Sequence, residues 1–211
     1  MPFSRSSPSP RYSELLSLYR TMHVEGDASN GLAPDMTFNG ISLRPHVNRL
    51  RTLIQRFEAE SILDFGCGKA FGYRGPTVER ADKSGSVTLQ EFWGLREIGL
   101  FDPAVNEFSR LPERRFDAVV STDVLEHCPE EDIGWILGEI FLRARKFVYC
   151  TVALYPAAKQ LPNGSNAHVT LKDAAWWRER FAEAAESFPH LNYFLVVMPS
   201  PTEMTEIEVS V

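Results

Sequence analysis

Ile62-Leu63-Asp64-Phe65-Gly66-Cys67-Gly68-Lys69-Ala70 reads as a short apolar strand that runs into an acid and then into a tight glycine turn able to open a helix. An α/β protein builds a nucleotide-type cofactor site in this way, at the carboxyl edge of its sheet. Gly66 and Gly68 let the backbone turn sharply and approach a ligand closely, because no Cβ intervenes. Plain strand-to-helix turns use glycine as well, so the flanking sequence has to select the cofactor.

A dinucleotide fingerprint, G-x-G-x-x-G, would place its third glycine at position 71, where this chain has the bulky Phe71. No G-x-x-x-x-G-K-[ST] occurs, so a P-loop is unsupported. Two further segments bear on the question. Ile98-Gly99-Leu100-Phe101-Asp102 reads as a second strand ending in an acid. Phe116-Asp117-Ala118-Val119-Val120-Ser121-Thr122-Asp123-Val124-Leu125-Glu126-His127 reads as another strand with a polar exit.

Together these segments resemble the class I S-adenosylmethionine-dependent methyltransferases, whose motif I is an acid followed by G-x-G-x-G; Ala70 replaces the third glycine. The Phe116–His127 run is similar to the family's fourth-strand motif, F-D-x-V-x followed by V-L-E-H. The resemblance runs from about Ile41 to the C-terminus with the motifs in the right order. It implies S-adenosyl-L-methionine as cofactor, with the turn of Gly66 and Gly68 beside its methionine part and Asp64 helping to hold it. Asp102 would accept hydrogen bonds from the ribose hydroxyls, and Asp123 would join the cofactor side. Asp102 precedes Pro103, so its residue type equally suits the start of a turn.

The implied fold is α/β: a Rossmann-like class I methyltransferase sheet, mostly parallel, closed by a C-terminal antiparallel hairpin. Ser61 to Phe65 is its first strand and Lys146 to Leu154 a later, buried one. Asn192 to Met198 and Thr202 to Val211, joined at Pro199-Ser200-Pro201, form the hairpin. Only Pro103 to Arg115 separates the second strand from the next, too short for two full crossovers, so the third-strand region is shortened. Helices are expected over Tyr12 to about Met22, His46 to Phe57 and Thr88 to Gly94. Two more are expected, one from Pro129 with Ile133, Leu137, Ile140 and Ala144 inward, and one opened by a Thr170–Asp173 capping box. Gly72 to Gly85 reads as a surface excursion.

At 211 residues and 44% hydrophobic, the chain can bury one good core, so 12–211 is expected to be a single domain. Residues 1–11, rich in Ser, Pro and Arg, read as a disordered tail without a secretory signal, and 12–40 as a helix and loop covering the active site. A net charge of -6 argues against a broad nucleic-acid-binding face, and no apolar run is long enough to span a membrane. Cys67, Cys128 and Cys150 are isolated, with no metal-ligand spacing, which suits a reducing, cytoplasmic setting; no metal site is read from the sequence.

Candidate catalytic residues are His127, His168 and Asp123, placed to bind or deprotonate a small-molecule acceptor. The loop Pro162-Asn163-Gly164-Ser165-Asn166-Ala167-His168 follows a buried strand and presents polar side chains, so Asn166 and His168 are candidate substrate contacts; its Asn and Gly residues equally suit plain turns. Trp176 lies off the apolar stripe of its helix, and a substrate, the N-terminal segment, another chain or simple surface packing would cover it. No N/D-P-P-Y/F signature of amino methylation on nucleobases or glutamine amides occurs. The expectation is therefore methyl transfer to an O or N atom of a small molecule, a sugar or natural-product intermediate. The alternative is a non-catalytic cofactor-binding regulatory or partner subunit, with a nicotinamide oxidoreductase third.

Overall fold

The computed structural model describes residues 3–27, 30–80 and 83–209. Its strands in chain order are β1 (Ser61–Phe65), β2 (Val78–Glu79), β3 (Ser86–Val87) and β4 (Glu97–Phe101), followed by β5 (Phe116–Thr122), β6 (Ala144–Ala153), β7 (Asn192–Ser200) and β8 (Glu203–Val209). The helices are α1 (Pro10–Glu25), α2 (Val47–Arg56), α3 (Leu89–Trp93), α4 (Ile133–Arg143) and α5 (Ala174–Ala185). Six strands form one sheet in the order β4-β1-β5-β6-β7-β8, while β2 and β3 pair as a separate ribbon. The first five of the six are parallel, and β8 closes the sheet antiparallel to β7. This is a Rossmann-like arrangement in which β4 forms the edge where a further strand would otherwise lie. The chain from Pro103 to Arg115 contributes no strand there, only a single 3₁₀ turn at Asn106–Phe108.

Strict alternation along the strands divides the core into two layers. Ile62, Ala118, Val120, Phe147, Tyr149, Phe194 and Val196 face α2 and α3. Leu63, Val119, Val148, Cys150, Leu195 and Val197 face α4 and α5. Both faces are dry, as the continuous apolar runs of a central parallel sheet require. Gly99 in β4 carries no side chain because the Phe116 ring fills that space; a Cβ there would lie 2.5 Å from it.

The helix ends depart from the sequence reading in instructive ways. The capping box on α3 is formed by Thr88 and Glu91, and Gly94 ends the helix in the left-handed region. On α5, Asp173 itself is the N-cap, accepting the Trp176 N–H at 2.8 Å; Thr170, expected to cap, instead donates to the Cys128 carbonyl. Ala144 belongs to β6 rather than to the α4 stripe, which Ile136 and Phe141 complete.

The expected disorder of 1–11 does not hold from Phe3 onward, and Met1 and Pro2 lie outside the described residues. Phe3 packs on the α4–α5 core, and α1 starts at Pro10 with the buried Ser9 as its cap. Ser9 accepts the Tyr12 N–H at 3.0 Å, gives its own N–H to Asp132 Oδ1 at 3.0 Å, and bonds Oδ2 of the same carboxylate through its hydroxyl. Asp132 also accepts the Trp135 indole N–H at 2.6 Å. One buried carboxylate thus joins the start of α1 to the start of α4. Losing a cap and a charge-assisted hydrogen bond together costs about 2–3 kcal/mol. Ser9→Ala is expected to lower stability by that amount in urea unfolding, whereas the exposed Ser6→Ala should be neutral.

Candidate functional site

The order of strands reverses at β1: β4 lies on one side of it and β5 on the other. Ligands in open α/β sheets bind outside the carboxyl ends of the strands at such a point. A pocket of about 300 Å³ lies there. Gly66 and Gly68 reach it from the loop after β1, Asp102 and Ala104 from the loop after β4, and Asp123 and His127 from the loop after β5. Tyr12, Leu15, Tyr19 and His23 of α1 close it from above, and Phe38 to Ser42 form a side wall.

The glycine turn is built as the sequence suggests but serves a different purpose in part. Gly66 (φ +88°) and Gly68 (φ +55°) are both left-handed. A Cβ on Gly66 would lie 2.4 Å from a Val124 methyl, and one on Gly68 would lie 2.1 Å from the Phe38 carbonyl oxygen. The missing side chains therefore admit neighbouring chain as well as leaving the pocket open. Ala70 takes φ +55°, a conformation natural to glycine, at a cost of about 1 kcal/mol. No α-helix opens from the turn, contrary to expectation; Phe71–Tyr73 is a 3₁₀ turn leading to the β2–β3 ribbon. The turn accordingly lacks the helix N-terminus that attracts phosphate.

Asp102 holds this turn. Its Oδ2 accepts the Gly68 N–H at 2.9 Å and its Oδ1 accepts the Ala104 N–H at 2.8 Å. The Val105 N–H also favours this carboxylate, whose roughly four acceptor sites are not all used. Burial pushes the Asp102 pKa up, against those N–H donors. Asp64, by contrast, does not line the pocket. Strand alternation turns it to the α2–α3 face, where the Tyr73 hydroxyl donates to Oδ2 at 2.8 Å. Its Oδ1 is buried with no hydrogen bond, and burial raises its pKa to about 7.

Asp123, His127 and His168 converge. Asp123 adopts φ +61°, with its N–H donating to Thr151 Oγ1 at 3.0 Å. His127 Nδ1 lies 2.9 Å from the Ala167 carbonyl, His168 Nδ1 lies 2.7 Å from the Tyr155 carbonyl, and His168 Nε2 lies 3.8 Å from Asp123 Oδ1. Burial lowers the His127 pKa to about 4, so its ring is neutral at neutral pH. Behind Asp123 sits Glu126, fully buried: Oε1 accepts the Ala153 N–H at 2.6 Å, and Oε2 has no hydrogen bond. Burial, and then the Asp123 carboxylate, raise its pKa well above the usual range. The Glu126 carbonyl accepts the N–H groups of Val169 and Thr170, which ties the His168 loop to the β5 exit.

Other candidates are placed elsewhere. Asn166 spends its amide on the backbone of Ala157, N–H and carbonyl, and on the His168 N–H; it shapes the loop and does not line the pocket. Trp176 is covered by its own neighbours, with Lys172 and Arg180 over its ring and Trp177 against its edge. It too lies outside the pocket lining. Lys69 donates to the Pro34 and Thr37 carbonyls and so pins the loop below α1. The sequence reading found no metal-ligand spacing; it read Asp132 only as a helix-start acid and assigned no role to Glu126 or Tyr73. Only the V-L-E-H run hinted at Glu126; Tyr73 is signalled by nothing local, and the bond from Asp132 to Ser9 is remote in sequence.

Comparison with known proteins finds no matching family model, no matching curated protein and no matching solved structure.

Proposed function

We propose that this chain is an S-adenosylmethionine-dependent methyltransferase acting on an O or N atom of a small molecule, a sugar or natural-product intermediate. The observation that carries the reading is the pocket at the strand-order reversal, where the glycine turn, Asp102 and the β5 exit meet under α1. Its walls are largely apolar, with Asp102 and Asp123 as the carboxylates on its lining. That combination fits a cofactor with an apolar body, paired hydroxyls and a positive sulfonium, and it does not fit a pyrophosphate. Asp102 would receive the hydroxyls on its remaining acceptor sites, and the turn of Gly66 and Gly68 would face the methionine part.

When bound, the cofactor supplies an electrophilic methyl group. The chain has to hold the acceptor in line with it, exclude water and take the proton that a hydroxyl or ammonium acceptor releases. Neutral His127 lines the pocket and has an unshared nitrogen lone pair for that proton. Asp123, beside it, stabilises the imidazolium that would form.

One observation favours the alternative of a non-catalytic cofactor-binding subunit: Asp64, the acid expected to hold the cofactor, is sealed beneath Tyr73. Calorimetric titration with S-adenosylhomocysteine tests binding, and turnover of S-adenosylmethionine with an acceptor panel separates enzyme from binder. Wild-type protein is expected to bind, and Ala104→Trp, which fills the pocket without touching the Asp102 hydrogen bonds, should weaken binding at least about hundredfold, or ~2.7 kcal/mol. No heat from folded wild type would overturn the reading; binding of a nicotinamide dinucleotide in its place would establish the oxidoreductase.

A further inference from the structure

We propose that Asp123, His127 and His168 form a binding site for a divalent first-row transition-metal ion on the acceptor side of the pocket. One donor atom from each of the three lies within 4.8 Å of the others. The two imidazoles meet edge to face with centroids 4.7 Å apart.

The backbone fixes which ring atoms are available. Carbonyl oxygens only accept, so the Nδ1 contacts to Ala167 and Tyr155 place a hydrogen on each Nδ1. In a neutral ring Nε2 is then a bare lone pair. Ligating histidines are held in this manner, with one nitrogen given to a backbone carbonyl and the other to the metal. The result is two imidazole nitrogens and a carboxylate oxygen gathered within 4.8 Å of one another, a donor set that a cation at its centre would draw together. His168 is the sole ion-pair partner of Asp123 among the described residues, and only when it is protonated.

The donor set selects the ion. Two imidazoles and one carboxylate suit Mn, Fe, Co, Ni or Zn, whereas Mg and Ca prefer oxygen alone. Ligands about 2.1 Å from a shared ion stand roughly 3–3.5 Å apart, so donor atoms now within 4.8 Å need close by at most about 1.3–1.8 Å. His168 is buried while Asp123 and His127 line the pocket, which leaves the open coordination positions facing the pocket. Resting on the methyltransferase reading, and replacing His127 as the base because its Nε2 would be on the ion, those positions would take an acceptor oxygen, whose proton passes to solvent more easily from a metal-bound oxygen.

The test uses the full chain, treated with chelator, dialysed and titrated with Co²⁺ and separately with Mg²⁺. Visible absorption and calorimetry report binding, and S-adenosylhomocysteine titration of the same sample checks the cofactor pocket independently. The expected result is one Co²⁺ per chain with a rise in Tm, affinity lowered at least hundredfold in His168→Ala, and cofactor-product binding retained in that variant. Asp123→Asn and His127→Gln carry the Co²⁺ comparison alone if His168→Ala does not fold, since both residues line the cofactor pocket. No Co²⁺ binding by wild type, binding unchanged in the three variants, or a preference for Mg²⁺ would each overturn the proposal. Co²⁺ binding without S-adenosylhomocysteine binding would keep the metal site and remove the methyltransferase.

Discussion

Gly68→Ala is expected to destabilise the protein by about 3 kcal/mol or more and to abolish binding in the pocket. Three costs add. The residue is left-handed at φ +55°, where an L side chain loses roughly 1 kcal/mol or more. The new Cβ would stand 2.1 Å from the Phe38 carbonyl oxygen and 3.0 Å from its carbon, and a backbone neighbour cannot rotate away. Relief requires moving the 38–40 segment, which breaks the Lys69 N–H bond to the same carbonyl at 2.9 Å. Losing that hydrogen bond costs about 0.5–1.5 kcal/mol. The moved segment is the side wall of the pocket, so stability and binding fail together. Gly75→Ala is the control: it is also left-handed, at φ +97°, but its Cβ would meet open space. It should cost only the backbone contribution, about 1 kcal/mol, and leave binding intact. Equal losses for the two variants in urea unfolding would show that the contact with Phe38 carries nothing.

That contact also explains what sequence reading could and could not reach. β1 runs from Ser61 to Phe65 as read, because an apolar run between an exposed linker and a glycine turn leaves no other register. The shortened third-strand region was legible from length alone, and the C-terminal hairpin from two strand-like segments joined at a proline-rich turn. The helix after the glycine turn was not, since what prevents it is remote in sequence. The N–H groups of Lys69 and Phe71 go to the carbonyls of Phe38 and Asn39, so the turn is tied sideways rather than wound onward. The onset of α1 was hidden for the same reason: its cap is completed by Asp132, 123 residues away.

The candidate site shows the same division. Asp102, Asp123, His127 and the two glycines reach the pocket because each ends a strand at the carboxyl edge, a position that pattern reveals. His168 reaches Asp123 through a loop whose shape is set by Asn166 and by the Glu126 carbonyl. Asn166 was legible as important and illegible in role: an amide in a polar loop reads alike whether it faces a ligand or its own backbone. Motif position says nothing about which face of the sheet Asp64 meets. Its neighbours Leu63 and Phe65 face α4 and α5, so Asp64 must face the other way.

Asp64→Asn is expected to stabilise the protein by about 4 kcal/mol at pH 8 and to change little at pH 4. The folded chain raises the Asp64 pKa from 3.8 to about 7, chiefly by burial, against the Tyr73 hydrogen bond that favours the anion. A folded state that holds its proton more tightly than the unfolded state loses stability as pH rises. Here the loss begins near the unfolded value of 3.8 and is complete above about 7, where both states are ionised. Three pKa units at about 1.4 kcal/mol each give the magnitude. Asparagine has nearly the same shape, accepts from Tyr73 and never ionises, so its variant escapes the loss. Paired urea unfolding curves at pH 4, 6 and 8 check this: the gap between variant and wild type should be small at pH 4 and widest at pH 8. A gap independent of pH would show that Asp64 does not titrate in this window. Binding then separates two roles for the acid. If Asp64 only underpins the turn, the variant should bind S-adenosylhomocysteine as wild type does. If Tyr73 swings aside and the carboxylate takes the ammonium group of the ligand, the variant should be more stable at pH 8 and yet bind more weakly. The second result would mean that the chain carries an acid costly to its fold because the cofactor needs the charge.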